Sequence, residues 1–389
     1  MYKALFAAFD LYPSPKGAAT HIYHSAQALF SFFGKGILYS LSNIDYEQDL
    51  LLDFGTAQVE HITFKKAIPN YLERAMAYAQ DLQNIILQDN EIEVAHFRDI
   101  WSGKAIFESG KKLKTIFEVN ALTSIELPYK YDLPDTTLEK IYWLEQMCLL
   151  QADQITCPSE VIKNHLLNRN IPAQKIKVIP NGANIPIIQN SENHIPFPKN
   201  YILYFGALQP WQGIEDLLKA FVYLQDYEDL YLVFCVAGAE KYAKFYQKIA
   251  EKLQISTRII WHFALEKEKL NAWIQKALFT VAPLKDTPRN TVQGCSPLKI
   301  FESMALKTAV LATDLPVVQE ILKDGESAKL VRSDRPNELA RAMRFMLDYP
   351  DFRTYIANNA FNLIVEKYNW QQNKAELCRI YEELQPVLL

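Results

Sequence analysis

Short apolar runs alternate along the chain with longer stretches in which apolar residues recur every three or four positions. The short runs are rich in Val, Ile, Tyr and Phe, which is typical of β-strands, and the longer stretches have the period of amphipathic helices. The runs predicted as strands are YKALFAAFD, GKGILYSLS, AQVEHITF, EVAHFRD, KTIFEV, DQITCPS, KVIPNG, YILYFGA, YLVFCVAG, RIIWHF, FTVAPL, TAVLAT and AKLV. Strands that alternate with helices in this way predict parallel sheets joined by crossover helices.

The alternating pattern occurs twice, which predicts two domains. The stretches predicted as helices are HIYHSAQALFSFF, PNYLERAMAYAQDLQNIILQ, TLEKIYWLEQMCLLQA, IEDLLKAFVYLQD, YAKFYQKIAEKL, KEKLNAWIQKA, SPLKIFESMAL, PNELARAMRFMLD and WQQNKAELCRIYEELQ. Between the two halves lies IPNGANIPIIQNSENHIPFPKN, which is rich in Pro and Asn and lacks a period, as linkers do. We place the boundary near residue 190, with residues 1–190 and 191–369 as the two domains and a further helix in residues 370–389.

Composition agrees with a large two-domain protein and excludes some functions. The 389 residues are 49% hydrophobic and have a net charge of −4, so the chain has no broad basic field for nucleic acid, although a local pocket for a small anion is compatible. Five dispersed cysteines without a C-x-x-C pair favour reduced thiols in the cytosol. Asp10 and two prolines interrupt the first apolar run, and no run approaches the ~20 residues of a membrane span. We expect a cytoplasmic protein, and peripheral contact with the inner face of the membrane is compatible with this sequence.

The first candidate site is the turn SPKGAATH, which follows the first predicted strand and precedes a helix. Gly17 and the small Ala18 allow a ligand to approach the backbone closely, and the helix start offers N–H groups to a phosphate. His21 lies on the same helix. A single glycine in such a position is more often simple turn chemistry, so this motif alone does not decide between the two interpretations.

The passage ADQITCPSEVIKNHLLNRNIPAQKIKVIPNGANIP carries a more specific pattern. A strand ends at Ser159, which can cap a helix beginning at Glu160, and a second strand runs into a turn at Asn181-Gly182. From the residues alone this is a β-α-β unit closed by a tight turn. It also resembles the end of the N-terminal domain in family 4 retaining glycosyltransferases, which have the GT-B architecture.

That resemblance implies an α/β fold in which two Rossmann-like, doubly wound domains face a central cleft, with the C-terminal helix crossing back to the first domain. It implies that the second domain binds a nucleotide-diphosphate sugar and that the first binds a glycan, lipid-linked or small-molecule acceptor. Transfer would retain the anomeric configuration without a metal or other cofactor, in polysaccharide or glycoconjugate synthesis. No nucleic-acid partner is expected.

The segment FGALQPWQGIEDLLKAF is again a strand, a loop and a helix. Gly206 and Gly213 let the loop pass close to a ligand, and the helix start is an anion site. The segment resembles the donor-diphosphate loop of the family, which usually carries an Arg after the first glycine and a Lys before the second. This sequence has Ala207 and Gln212 instead. Each missing cation would contribute about 1.5–3 kcal/mol, so we expect nearby cations to offset the loss.

Such cations occur between Ala282 and Val331, a segment predicted as a strand, a long polar loop and a helix that opens near Ser296 and Pro297. By the resemblance, Glu302 is the second acid of the family's E-x7-E motif and bonds the donor ribose. The first acid would fall at Gly294, so the contacts to the donor sugar do not carry over.

We assign the diphosphate to the amides around Cys295 to Leu298, with charge from Arg289 and Lys299 and with Lys285 as a third nearby cation. Cys295 is not expected to act as a nucleophile, because the family is thought not to use one. The residues assigned to the donor are Gly206, Gly213, Arg289, Gly294, Cys295, Ser296, Pro297, Leu298, Lys299 and Glu302.

In the first half, HFRDIWSG and IFEVNALTSIE each carry polar residues where an apolar strand ends. Ligands of doubly wound folds bind outside these carboxyl ends, so we expect their side chains near a ligand. The alternative is an Arg-Asp pair and a buried Glu that satisfies loop amides. The residues assigned to catalysis are Asn120, Glu118 and Lys299, and those assigned to the acceptor side are Gly17, Ala18, His21, Arg98 and Asp99.

No metal site is predicted, because the seven histidines are dispersed and no D-x-D follows a strand.

Two further functions stay open. A nucleotide-sugar epimerase or a glycosyl phosphorylase could use the same architecture. A non-catalytic protein that binds a sugar nucleotide is the other alternative, and Ala207, Gln212 and Gly294 are the departures that motivate it.

Overall fold

The computed structural model describes residues 3–14, 17–41, 54–186 and 196–384. The chain divides into two compact units: unit 1 is Met1–Pro180 with Gln371–Leu389, and unit 2 is Asn181–Trp370. The boundary predicted near residue 190, and Pro15 and Lys16 of the SPKGAATH turn, lie outside the described residues.

Unit 1 contains a seven-stranded parallel sheet in the order β3-β2-β1-β4-β5-β6-β7. The strands are β1 (Lys3–Leu11), β2 (Lys35–Leu41), β3 (Gln58–Phe64), β4 (Ile92–Phe97), β5 (Lys114–Glu118), β6 (Gln154–Cys157) and β7 (Ile176–Val178). The helices are α1 (Gly17–Phe33), α2 (Tyr71–Gln88), α3 (Ile100–Glu108), α4 (Thr123–Glu126), α5 (Asp135–Gln151) and α6 (Glu160–Asn168).

The central strand of unit 1 is apolar on both faces because helices cover both sides of the sheet. Leu5 and Ala7 of β1 enter one core, and Phe6 and Ala8 enter the core on the opposite face. This alternation follows from the two-residue period of a strand. The predicted cap of α6 is confirmed, since Ser159 accepts a hydrogen bond from the backbone of the first turn.

Unit 2 contains a six-stranded parallel sheet in the order β10-β9-β8-β11-β12-β13. The strands are β8 (Asn200–Gly206), β9 (Leu230–Val236), β10 (Ile259–Phe263), β11 (Phe279–Ala282), β12 (Val310–Thr313) and β13 (Lys329–Val331). The helices are α7 (Ile214–Phe221), α8 (Lys244–Lys252), α9 (Lys267–Lys276), α10 (Leu298–Ala305), α11 (Pro316–Gln319), α12 (Pro336–Asp348) and α13 (Pro350–Glu366).

The last helix, α14 (Trp370–Leu384), contributes to the core of unit 1. Leu377, Ile380 and Tyr381 are buried there together with residues of β1 and α1. The crossing of the C-terminal helix to the first domain is therefore confirmed.

The strand order of each sheet reverses at one point, where successive connections leave in opposite directions. In unit 1 this point lies between β1 and β4, and in unit 2 it lies between β8 and β11. A crevice opens outside the carboxyl ends of the strands at such a point, and ligands of doubly wound folds bind there. The loops after these four strands carry most of the residues assigned from the sequence.

Some elements differ from the prediction. Helices α3, α4, α11 and α13 were not predicted. Residues 289–293, predicted as part of a long loop, form a π-helical turn. Helix α10 begins at Leu298, slightly later than predicted, with Pro297 as its cap. No helix in the described part of the chain is long and apolar enough to span a membrane.

Candidate functional site

The loop after β8 approaches the neighbouring strand end more closely than a side chain would allow. Gly213 has a left-handed φ of 69°, and a Cβ atom at this position would lie 1.8 Å from the carbonyl oxygen of Pro283. Only glycine fits this conformation and this contact. The loop from Gly206 to Gly213 is thereby held against the segment that follows β11, and α7 begins directly after it, as predicted.

Lys299, in the first turn of α10, reaches this loop. Its Nζ donates a hydrogen bond of 2.6 Å to Oε1 of Gln212 and lies 4.0 Å from the centre of the Tyr204 ring. The hydroxyl of Tyr204 donates to the carbonyl oxygen of Ala207 at 2.6 Å. Ala207 and Gln212 stand where the loop lacks the expected Arg and Lys. Lys299 of α10 contacts Gln212 directly and is linked to Ala207 through Tyr204.

Arg289 is the second cation at this edge of the sheet. Its guanidinium carbon lies 5.1 Å from the centre of the Trp211 ring, and its Nε is buried without a hydrogen-bond partner in the described part of the chain. Asn290 anchors the π-helical turn by donating to the carbonyl oxygens of Trp211 and Lys285, at 3.0 and 2.8 Å. The turn therefore holds Arg289 over the loop from Gly206 to Gly213.

The three cations proposed to offset the missing charges differ in their partners. Lys285 forms ion pairs with Asp334 at 3.0 Å and Asp216 at 3.8 Å, so its charge is already compensated. Within the described residues, neither Lys299 nor Arg289 has a carboxylate oxygen within ion-pair distance. These two cations are thus available to an anionic ligand.

The segment before α10 is fixed by Asn181, whose backbone N–H donates to Oγ of Ser296 at 3.1 Å and whose Nδ2 donates to the carbonyl oxygen of Ser296 at 2.6 Å. The turn predicted at Asn181-Gly182 is not found, since the structure has no turn at these residues, and Asn181 instead holds this loop. In the described structure, the N–H groups of Cys295, Ser296 and Leu298 donate to no backbone or side-chain acceptor. Such N–H groups beside a helix start bind anions.

Cys295 and Glu302 lie near the start of α10, where the first is a protonated thiol and the second is a paired carboxylate. Burial raises the pKa of the Cys295 thiol, and the neighbouring Arg289 offsets this only in part, so the group stays a thiol at neutral pH. Glu302 forms an ion pair with Lys267, the first residue of α9.

Gly294 has a φ of 81°, which a glutamate would rarely adopt. The assigned donor residues thus lie together on the loops after β8 and β11 and on α10.

In unit 1, Arg98 follows β4 and connects several elements. Its Nε donates to Oε1 of Glu118 at 3.1 Å, and its Nη1 donates to the carbonyl oxygen of Ala18 at 3.3 Å and lies 3.6 Å from Asp10. The side chain therefore ties the ends of β4 and β5 to the start of α1, where Gly17 is exposed.

Glu118 is buried at the centre of this group. It accepts hydrogen bonds from Arg98 and Asn120, and Nε2 of His96 lies 3.2 Å from its Oε2. Burial alone would raise the pKa of Glu118, but Arg98, His96 and His21 outweigh burial and hold that pKa well below its usual range. The residue is a carboxylate whose charge is compensated inside unit 1. It is suited to orienting Asn120 and Arg98.

His21 lies 3.9 Å from the same carboxylate. Burial, together with Arg98, lowers the pKa of His21 to about 3, although Glu118 opposes this shift. The imidazole is therefore neutral at physiological pH. The described residues include no group of three or more His, Cys, Asp or Glu side chains that could hold a metal ion.

Asp99 does not pair with Arg98, so the predicted alternative of an Arg-Asp pair is wrong. Its carboxylate caps α3 by accepting from the N–H groups of Trp101 and Ser102, and it also accepts from the N–H of Phe9 at 2.7 Å. Burial raises the pKa of Asp99 to about 6, against the hydrogen bonds that lower it. The residue assigned to the acceptor side holds the local backbone, because all of its acceptor capacity is used inside unit 1.

Two family models match the chain in succession. The model of Glycosyltransferase Family 4 matches residues 15–185, and that of Glycosyl transferases group 1 matches residues 188–363. The chain belongs to the family 4 (group 1) glycosyltransferases. The family model of the second half covers the loops of both available cations, and that of the first half covers Arg98 and Glu118.

Relatives and solved structures agree with this family. The chain is 24% identical over 328 residues to the uncharacterized glycosyltransferase MJ1607 of Methanocaldococcus jannaschii, covering 81% of this chain and 82% of the relative. It is 27% identical over 251 residues to the O-antigen chain mannosyltransferase RfbU of Salmonella typhimurium, covering 64% of this chain and 64% of the relative. The structure of Anabaena Alr3699/HepE in complex with UDP-glucose superposes with a TM-score of 0.76 at 15% identity, covering 98% of this chain and 100% of that one. The likeness shows the shared GT-B fold of this family 4 glycosyltransferase.

Sequence reasoning missed several contacts of this glycosyltransferase. Gln212 stood out only as the residue in place of a lysine, and Tyr204 and Trp211 were not assigned to the site. His96 interrupts an apolar strand, which was an available signal for a polar partner. That partner, the hydroxyl of Tyr381 at 2.9 Å from Nδ1, lies 285 residues further on and had no sequence signal.

Proposed function

We propose that this glycosyltransferase transfers a hexosyl group, with retention of configuration, from a nucleotide-diphosphate sugar to a glycan, lipid-linked or small-molecule acceptor. The reaction belongs to polysaccharide or glycoconjugate synthesis. The donor binds to unit 2 and the acceptor to unit 1. No metal ion takes part, since protein cations supply the positive charge at the diphosphate.

The observation that carries the proposal is the pair of uncompensated cations at the topological switch of unit 2. Lys299 and Arg289 lie over the donor loop without carboxylate partners among the described residues, beside the N–H groups of Cys295 and Ser296. An arrangement of cations and free amides is complementary to a diphosphate. Glu302, on the same helix as Lys299, would bond the ribose of the nucleotide.

In the proposed reaction, the bond between the anomeric carbon and the diphosphate oxygen breaks, and the bond to the acceptor hydroxyl oxygen forms on the same face. The electron pair of the broken bond stays on the diphosphate, and the acceptor proton passes to an oxygen of this leaving group. Lys299 and Arg289 stabilise the negative charge that develops there, and they need no rearrangement to do so. Holding donor and acceptor in a reactive geometry lowers the barrier further.

The side chains of unit 1 have a different task in this proposal. The carboxylate of Glu118 holds the amide of Asn120 and the guanidinium of Arg98 in place on the acceptor side of unit 1. The neutral His21 and the exposed start of α1 at Gly17 and Ala18 contact the acceptor.

Two of the similar proteins support a nucleotide-sugar donor. The Anabaena structure contains UDP-glucose, and the Salmonella relative is named a mannosyltransferase. The sugars in these two names differ, so the donor base and sugar of this chain are to be measured.

The direct test is a screen of UDP-, GDP- and ADP-sugars with a panel of acceptors, with transfer detected by mass spectrometry. We expect transfer from one nucleotide class, an α-configured product from an α-linked donor by NMR, and unchanged rates after treatment with EDTA. Glu302→Ala should abolish transfer, and Glu338→Ala, which removes another paired acid of unit 2, should not. Inversion of configuration or dependence on a divalent ion would contradict the corresponding part of the proposal.

A non-catalytic sugar-nucleotide-binding protein is the second candidate, and the residues Ala207, Gln212 and Gly294 favour it. Thermal-shift measurements with UDP, GDP, ADP and their sugars distinguish the two. Stabilisation by a nucleotide without transfer or donor hydrolysis would support the binding protein. No effect of any nucleotide would exclude both functions.

A further inference from the structure

We propose that Gln212 and Tyr204 position the amine of Lys299 to act as the main cation for the donor diphosphate, and that diphosphate binding draws a proton onto this amine near neutral pH. This inference rests on the proposed function, because it requires a diphosphate at unit 2. It adds a positioning role for two residues and a proton uptake that is coupled to binding.

The groups around Lys299 stabilise the ammonium form of its side chain without neutralising the positive charge. Oε1 of Gln212 accepts a hydrogen bond from Nζ at 2.6 Å, and the face of the Tyr204 ring lies 4.0 Å away. An amide oxygen and an aromatic face each stabilise an ammonium group, but neither carries a negative charge. A carboxylate at position 212 would instead compete with the diphosphate for the same amine.

The charged and titratable groups around Lys299 are few. Strand β8 contributes Tyr204, whose pKa burial raises well above its ordinary value, so it stays a neutral phenol. The loop before α7 contributes the neutral Gln212, and the loop before α10 contributes the thiol of Cys295. On α10 itself, Glu302 is paired with Lys267. Within the described residues, no carboxylate oxygen therefore lies within ion-pair distance of the amine.

The consequence is a lysine that is only partly protonated before the donor binds. Burial lowers the pKa of Lys299 to about 7, and the carboxylate of Glu302, which favours the ammonium form, offsets this only in part. A bound diphosphate would raise that pKa again, because an adjacent negative charge favours the ammonium form. By linkage, affinity for the donor should be constant well below pH 7 and should fall as the pH rises above this value.

Gly206 leaves the space in which this lysine lies. Its φ is 116°, and a Cβ atom at Gly206 would be 3.6 Å from both Cε and Nζ of Lys299. The strand end therefore brings bare backbone next to the amine, and no side chain separates Nζ from a ligand at the loop.

The test is isothermal titration calorimetry of the full chain with UDP, GDP and ADP between pH 7 and pH 8.5, where the nucleotide phosphates are largely ionised because their second pKa is about 6. Each pH is measured in two buffers of different ionisation enthalpy, which gives the number of protons taken up. For the nucleotide that binds, we expect affinity to fall about tenfold over this range and uptake close to one proton at pH 8.

Lys299→Arg keeps the charge but cannot lose its proton, so its affinity should change less than about twofold over the same range, without proton uptake.

Gln212→Leu should bind more weakly and should shift the midpoint of the pH dependence to lower pH, because the ammonium loses its acceptor. Lys367→Arg is the matched control, since Lys367 also lies over a tyrosine ring of unit 2, and it should keep the wild-type profile. Circular dichroism checks that each variant is folded.

The outcomes separate this inference from the proposed function. If Lys299→Arg keeps the pH dependence of the wild type, or if the wild type binds a nucleotide without proton uptake, the inference is wrong and the donor site stands. If Gln212→Leu leaves both affinity and midpoint unchanged, its positioning role is excluded. If none of the three nucleotides binds at any pH, the proposed donor site and this inference both fail.

Discussion

The charged clusters of the two units differ in how their charges are compensated. In unit 1, Glu118 is surrounded by Arg98, Asn120 and two histidines, so its charge is satisfied inside the fold. In unit 2, Lys299 and Arg289 contact aromatic rings and neutral amides instead. A buried charge is costly unless it is paired. The difference indicates that the first cluster maintains the shape of its unit, whereas the second is incomplete until an anion binds.

Removing the central acid of unit 1 should have the largest effect on folding. Glu118→Ala leaves the buried guanidinium of Arg98 without its nearest acceptor, so we expect the free energy of unfolding to fall by about 3–5 kcal/mol. Urea denaturation followed by circular dichroism measures this. Glu93→Ala, an exposed acid on the neighbouring strand β4, should change stability by less than about 0.5 kcal/mol. Equal stability of the two variants would refute the comparison for unit 1.

Titration of Asp99, the cap of α3, should make the stability of unit 1 depend on pH. The pKa of Asp99 is about 6 in the fold and 3.8 in its ordinary state. A raised pKa means that the protonated form stabilises the fold, so this contribution is present below about pH 4 and lost as the pH rises to about 6. As the pH rises through this window, the free energy of unfolding of the wild type should fall by about 3 kcal/mol relative to that of Asp99→Asn, in which residue 99 does not titrate. Denaturation curves of both proteins at each pH give the difference, and a constant difference would contradict the prediction.

The smallest effect is expected at Cys295, which lies among the cations of unit 2 but carries no charge itself. Cys295→Ala should keep the transfer rate within about twofold of the wild type, because burial holds the group as a thiol and no covalent step is assigned to it. Initial rates with the donor found by screening test this. A loss as large as that of Glu302→Ala would mean that the thiol takes part in the reaction.

Much of the fold could be predicted from periodicity, because each predicted strand corresponds to a strand of the structure. Four helices were missed, and two of them, α4 and α11, have only 4 residues each, too few to show a helical period. Helix α3 is short and contains Gly103 in its interior, which weakens a helical pattern. Helix α13, which starts at Pro350 after the single residue Tyr349, was not predicted, whereas the predicted end of α12 at Asp348 is confirmed. The role of Asp99 could have been found, since an aspartate directly before a helix is a preferred cap.

The candidate site was predictable only as a set of loops. Resemblance and the glycines identified the segments around Gly206, Gly213 and Glu302, but contacts between distant residues leave no local pattern. Lys299 is 87 positions from Gln212, and no periodicity pairs them. The π-helical turn that carries Arg289 likewise has no propensity signal, since such turns are rare and depend on tertiary packing.

The central claim is that the cations of unit 2 are kept for a ligand and not for the fold. Lys299→Met tests it most directly, with nucleotide affinity and the urea midpoint measured on the same preparation. We predict that affinity for the bound nucleoside diphosphate falls about 10- to 100-fold, the equivalent of one charge-assisted hydrogen bond, while the midpoint stays equal or rises. Unchanged affinity together with a lower midpoint would contradict the account, because Lys299 would then be a structural residue.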